Sequence, residues 1–99
     1  MWRMNRGVGR LKNFYTEIDD VTMTYGDIAR TADGMEYIRI YFEKPILGGF
    51  NFLESVLPGL DIIETEGFDE EEIKSLLEYA ESNAFIIWQL AAQEVERVA

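Results

Sequence analysis

Between positions 61 and 81 the chain sets nine carboxylates, those of Asp61, Glu64, Glu66, Asp69, Glu70, Glu71, Glu72, Glu78 and Glu81, against one cation, Lys74. Carboxylates at that density suit three kinds of chemistry. They hold hard cations, they move protons, or they present negative charge to a basic partner. Cation binding is the weaker fit, because the alternating Asp/Asn residues around a central Gly that build a calcium loop are absent. No metal ligand is assigned, and no cofactor is called for.

Proton transfer fares no better. The chain has no histidine and no cysteine, which removes the commonest acid–base group near neutral pH and the thiolate nucleophile. A working carboxylate pair needs one member held protonated in a dry cleft. Glu36 and Glu43 fall at the two ends of an expected strand, and Glu54 reads as the polar side of a short helix. Lys44 and Lys74 stand alone as amines, with nothing nearby in sequence to depress their pKa. The Gly7-Val8-Gly9 and Gly48-Gly49 pairs lack the strand–loop–helix setting of a phosphate loop. The residues point to a binding protein without catalytic residues.

Presentation of charge remains. On a helix over 69–81, Glu71, Lys74, Glu78 and Glu81 take the side away from Ile73, Leu76, Leu77 and Ala80. Glu71 and Glu78 then stand ~10 Å apart along the axis. With Glu64 and Glu66 from a neighbouring strand they make a rod of carboxylates at phosphate-like spacing. Such a rod would occupy the basic groove of a nuclease or another nucleic-acid-binding protein, with the usual electrostatic roles reversed. The plainer reading is that Glu70, Glu71 and Glu72 answer the helix macrodipole and the remaining acids are a solvated face. A second candidate surface is Tyr37–Arg39–Tyr41, whose spacing on a strand puts aromatics on either side of an arginine. That arrangement stacks unpaired bases. The surrounding negative charge opposes it, leaving Tyr/Arg stacking, or cover by the N-terminal arm or another subunit, as the alternative.

The charge is unevenly spread. Residues 1–12 carry Arg3, Arg6, Arg10 and Lys12 with no acid, a charge of +4, and the rest sets all 19 carboxylates against five cations, a charge of −14. The first 12 residues read as a basic, mobile arm whose Trp2 implies a docking place, and 13–99 as one globular domain. At 99 residues and 47% hydrophobic content there is enough apolar mass for a core. The start is charged but leads into no apolar stretch, as a secretory signal would. The apolar run 84–88, extended to Ala92 across Gln89, falls short of the ~20 residues of a membrane span. A cytoplasmic protein is expected.

These residues need elements to hold them. Segments 21–31 and 35–43 flank Asp33-Gly34, a hairpin signal, and Ile38, Ile40 and Phe42 alternate onto one face. Gly26 marks a bulge and Pro45 an end to the second arm. Residues 14–18 read as an edge strand or a first turn of helix, and Asp19-Asp20 as a turn. Asn51 is expected to cap a short helix through Leu57, stopped by Pro58-Gly59. Residues 60–65 are expected as a further strand bringing Ile62 or Ile63 inward. Asp69 and Glu72 make a capping box with Phe68 as a staple. Ile73, Leu76, Leu77, Ala80, Ala84, Ile87 and Ala91 give the apolar stripe that follows. Ser82-Asn83 divides it into two helices, 69–81 and 83–97, the second apolar nearly all round and so either deeply buried or in a subunit interface. The sum is an α+β fold: a small antiparallel sheet, a β-hairpin plus one or two strands, with a short helix and two C-terminal helices on one face.

In size and composition, though through no motif, the chain is similar to the small acidic anti-restriction and anti-CRISPR proteins of phages, and equally to antitoxins. That similarity implies an inhibitor whose acidic face (Glu64, Glu66, Asp69, Glu70, Glu71, Glu72, Glu78, Glu81) blocks a basic protein partner. The alternative is a structural or regulatory homo-oligomer that meets itself through the apolar C-terminal helix and Tyr37 and Tyr41.

Overall fold

The computed structural model describes residues 12–98, and side chains as far as Glu94. The expected arm lies outside these residues except for Lys12. Five strands come first, β1 (Asn13–Ile18), β2 (Val21–Arg30), β3 (Glu36–Ile46), β4 (Gly49–Leu57) and β5 (Glu64–Glu66), followed by α1 (Glu70–Val98). The sheet order is β1-β2-β3-β4-β5, each strand antiparallel to the next, so the chain meanders once across the sheet and lays one helix on one face.

Local chemistry accounts for the turns. Asp19 and Asp20 both take left-handed φ values, 53° and 69°, and join Ile18 directly to its partner Val21, as a primed two-residue hairpin turn requires. Asp33-Gly34 closes the β2–β3 hairpin: the Gly34 amide donates to the Thr31 carbonyl at 3.0 Å, and Gly34 takes φ 91°. The expected bulge at Gly26 is present as a register shift between Tyr25 and Ile28. Residues 14–18 form the edge strand, with its own irregularity between Phe14 and Thr16.

Several expectations are corrected. No short helix covers 51–57. That segment is β4, and it alternates: Leu53, Ser55 and Leu57 are buried opposite Phe42, Ile40 and Ile38, while Phe52, Glu54 and Val56 take the other face. Two-residue periodicity against an already formed strand outweighs the cap signal of Asn51. The 60–65 strand shrinks to Glu64–Glu66, and Ile62 and Ile63 stay about half exposed rather than turning inward. The two C-terminal helices are one, unbroken at Ser82-Asn83. Asn83 spends its polarity without opening the helix, its amide donating to the Tyr79 carbonyl at 2.8 Å and its carbonyl accepting from Tyr15 at 2.6 Å. Nor is the segment 84–92 buried all round. Ile87 and Ala91 are in the core, but Phe85 is 73% exposed.

Pro45 also fails to end β3, which runs on to Ile46. The two-residue turn at Leu47-Gly48 makes Ile46 and Gly49 the hydrogen-bonded pair, so Pro45 opposite Phe50 points its nitrogen away from β4. On that outer side pairing with β2 stops at Glu43, so no ladder bond is lost.

The core lies between sheet and helix. Met23, Tyr25, Ile38, Ile40, Phe42, Leu53 and Leu57 meet Ala80, Ile87 and Ala91. Ser55, fully buried, donates its hydroxyl to the Asp61 carbonyl at 2.7 Å, so its own polar atom is paired. The helix starts beside Asn51 of β4, which crowds Gly67, and reaches Tyr15 of β1 at Asn83. Its axis therefore crosses the sheet diagonally. Among the described residues no helix is long and apolar enough to cross a membrane.

Candidate functional site: acidic surfaces and an apolar groove

The capping box forms as the sequence implies. The Glu72 amide donates to Oδ1 of Asp69 at 2.8 Å, and the Asp69 amide donates back to Oε1 of Glu72 at 2.9 Å. Phe68 is buried directly before it. This fixes the start of α1 and so the bearing of every carboxylate along it.

The expected site residues fall into three groups. Glu71 and Glu72 border the side of the helix that faces the β1–β2 hairpin. Glu70, Glu78 and Glu81, with Lys74, border its other flank above Leu60 and Ile62. Glu64 and Glu66 sit on β5 opposite Glu54 and Phe52, on the sheet face that turns away from the helix. Asp69 is exposed at the cap. The carboxylates thus lie on two flanks of the helix and on the opposite face of the sheet, and do not line up as a single rod. Among the described residues none of Glu64, Glu66, Glu70, Glu71, Glu78 and Glu81 is in an ion pair, and no three acidic side chains converge as a metal centre would require.

Tyr37, Arg39 and Tyr41 lie on the helix-free face of β3. Arg39 does not stack between the tyrosines; its Nη1 donates to Oε2 of Glu54 on the next strand at 3.1 Å. Glu54 is thereby a sheet-face ion-pair partner rather than the polar side of a helix. The Lys12 ammonium stands 4.1 Å from the centre of the Tyr41 ring and 3.4 Å from Oε2 of Glu43. Tyr41 is half buried, and that burial, with the Glu54 charge added, raises its pKa above the ordinary 10.0 against the opposing pull of Arg39. Tyr15 is raised for the same leading reason, burial, with Tyr79 beside it.

A feature that sequence reasoning missed is a groove of about 400 Å³ between the first half of α1 and the β1–β2 hairpin. Its floor is apolar, made by Met23, Phe42 and Phe68; Ile18 and Val21 form one wall, Leu76 and Tyr79 the other. Lys44 enters from β3, and Glu71, Glu72 and Asp19 stand at the rim. The groove exists because the helix crosses diagonally and leaves the hairpin side of its first turns uncovered. Glu72, Leu76 and Tyr79 share a helix face by their spacing, a signal the sequence carries; the far wall is brought there only by tertiary structure. Beyond Lys44 the β3–β4 hairpin continues to a tip where Ile46 is 45%, Leu47 102% and Phe50 62% exposed.

No protein-family model matches the chain, nor does any curated protein or any solved structure.

Proposed function

We propose that this is a non-catalytic interaction protein that binds a protein partner through the partner's basic surface, in the manner of an inhibitor that stands in for nucleic acid. The observation that carries the reading is the set of exposed helix carboxylates, Glu70, Glu71, Glu78 and Glu81, which form no ion pair among the described residues of a chain of net charge −10. Unneutralised acids on a folded surface repel one another and lower stability, and a cationic partner relieves that repulsion. Such a partner would be steered by the field and fixed by local contacts. Because the acids lie on two flanks of the helix and on the opposite sheet face, the fit is to a cleft that grips more than one face of the domain.

The test is capture by the tagged protein from nuclease-treated lysate at ~50 mM and ~500 mM salt, where phosphate-type contacts weaken steeply. A basic nucleic-acid-binding protein recovered at the lower salt and displaced by DNA or RNA is the expected result. Changing Glu70, Glu71 and Glu78 together to Lys abolishes that recovery while the circular dichroism spectrum stays the same. Recovery unaffected by the triple change refutes the reading.

A second reading has its own observation. Between Glu81 and Glu94 the helix carries no charge, and Phe85 and Ile86 are exposed on it. An uncharged outer stripe is where a second copy meets least repulsion. Light scattering that shows a monomer at millimolar concentration removes this alternative.

A further inference from the structure

We infer that the groove between α1 and the β1–β2 hairpin is an anchor site for a basic peptide segment of a partner protein, one that carries an apolar side chain between arginines or lysines. The inference rests on the reading that the domain binds a basic protein, and it adds where the partner is held and what holds it. Charge alone steers and orients, whereas affinity in protein interfaces concentrates where an apolar anchor fills a desolvated pocket. The groove offers such a place: its floor of Met23, Phe42 and Phe68 accepts an apolar group, and its volume of about 400 Å³ is enough for one or two large side chains.

The rim decides which segment enters. Asp19, Glu71 and Glu72 oppose the single Lys44, so cationic neighbours of the inserted side chain are favoured and acidic ones repelled. Ile46, two residues past Lys44 on the same strand face, and Leu47 at the tip extend the apolar path outward from the groove. A DNA or RNA strand has the wrong charge for the rim. Residues 13–99 of a second copy, with all 19 carboxylates of the chain, would bring like charge against it.

The experiment uses the full chain and three fluorescein-labelled octapeptides, read by anisotropy at ~150 mM salt. The first alternates arginine and glycine around a central Phe-Leu pair. The second replaces Phe-Leu by Ser-Ser, and the third replaces every arginine by glutamate. The first is expected to bind about tenfold more tightly than the second, the return on burying one apolar side chain, and the third not at all. Ser75 is exposed at the groove wall, so Ser75→Trp fills the groove without opening the core. It should erase the tenfold preference and leave the Ser-Ser peptide unchanged.

Equal binding of the first two peptides overturns the groove as anchor while leaving the acidic reading standing. Binding of the glutamate peptide as tight as the first overturns the acidic reading as well. In case Ser75→Trp fails to fold, amide shifts of the unaltered protein decide. Shifts at Val21, Lys44 and Ser75 on adding the Phe-Leu peptide alone support the proposal, and shifts confined to other residues refute it.

Discussion

The Tyr15 hydroxyl donates to Oδ1 of Asn83 across 2.6 Å, tying the outermost strand to the middle of the only helix among the described residues. Its ring meets that of Tyr25 edge to face, with centres 6.5 Å apart. Edge strand and helix are thus joined by one polar and one aromatic contact at the same residue. Removing the hydroxyl leaves Asn83 with only its bond to the Tyr79 carbonyl. Tyr15→Phe should lower stability by about 1 kcal/mol in urea unfolding, with the ring contact intact, and Tyr15→Ala by clearly more. An unchanged midpoint for Tyr15→Phe would show that the bond contributes nothing net.

Gly67 carries a backbone requirement and a steric one together. It takes φ 93°, and a Cβ built there would overlap the Asn51 side chain. Gly67→Ala should cost about 1–3 kcal/mol. Adding Asn51→Ala should recover the steric part only, so the double variant lies between the single one and the parent in thermal unfolding.

The helix cap makes a narrower prediction. Asp69→Ala should destabilise by about 0.5–2 kcal/mol, whereas Asp69→Ser, which can accept the same Glu72 amide bond, should be close to neutral. Equal losses for both substitutions would mean that the charge near the helix dipole, not the cap bond, is what counts.

Alkaline titration separates the two raised tyrosines from ordinary behaviour. In the fold Tyr15 and Tyr41 hold their protons more tightly than unfolded tyrosine does. Their contribution to stability is therefore complete below pH 10.0 and disappears as the pH rises through their folded values. Tyrosinate absorbance should show components titrating above that ordinary value, and Tyr41→Phe should remove one of them. A titration in which every phenol ionises at the ordinary value refutes the packing described for both.

What the sequence made legible was local. The cap at Asp69 and the hairpin turn at Gly34 are chemical signals spanning three or four residues, and both stand where expected. The short helix over 51–57 was an error of the same locality. Asn51 resembles a cap, but the segment's partner is β3, and only pairing with Phe42, Ile40 and Ile38 shows that Leu53, Ser55 and Leu57 belong inward. Asn83 likewise reads as a break until the hydroxyl of Tyr15, distant in sequence, donates to its side-chain carbonyl. The carboxylates were visible by type, yet the split of Glu64 and Glu66 from Glu70 to Glu81 depends on which face β5 presents. The groove depends on the helix bearing, which no short-range pattern encodes.

The ends of the sheet bear on how the protein behaves in concentrated solution. An unpaired strand is a template for another chain, and here both outer strands are poor templates. β1 is kinked by its irregularity after Phe14, and β5 offers three residues with glutamates at its first and last positions. The guard at β5 is therefore chemical as much as geometric. Changing Glu64 and Glu66 together to Gln removes like-charge repulsion at the margin, leaving only the brevity of that strand to keep neighbouring molecules from continuing the ladder. Fibre formation by that double variant should begin from the β5 margin.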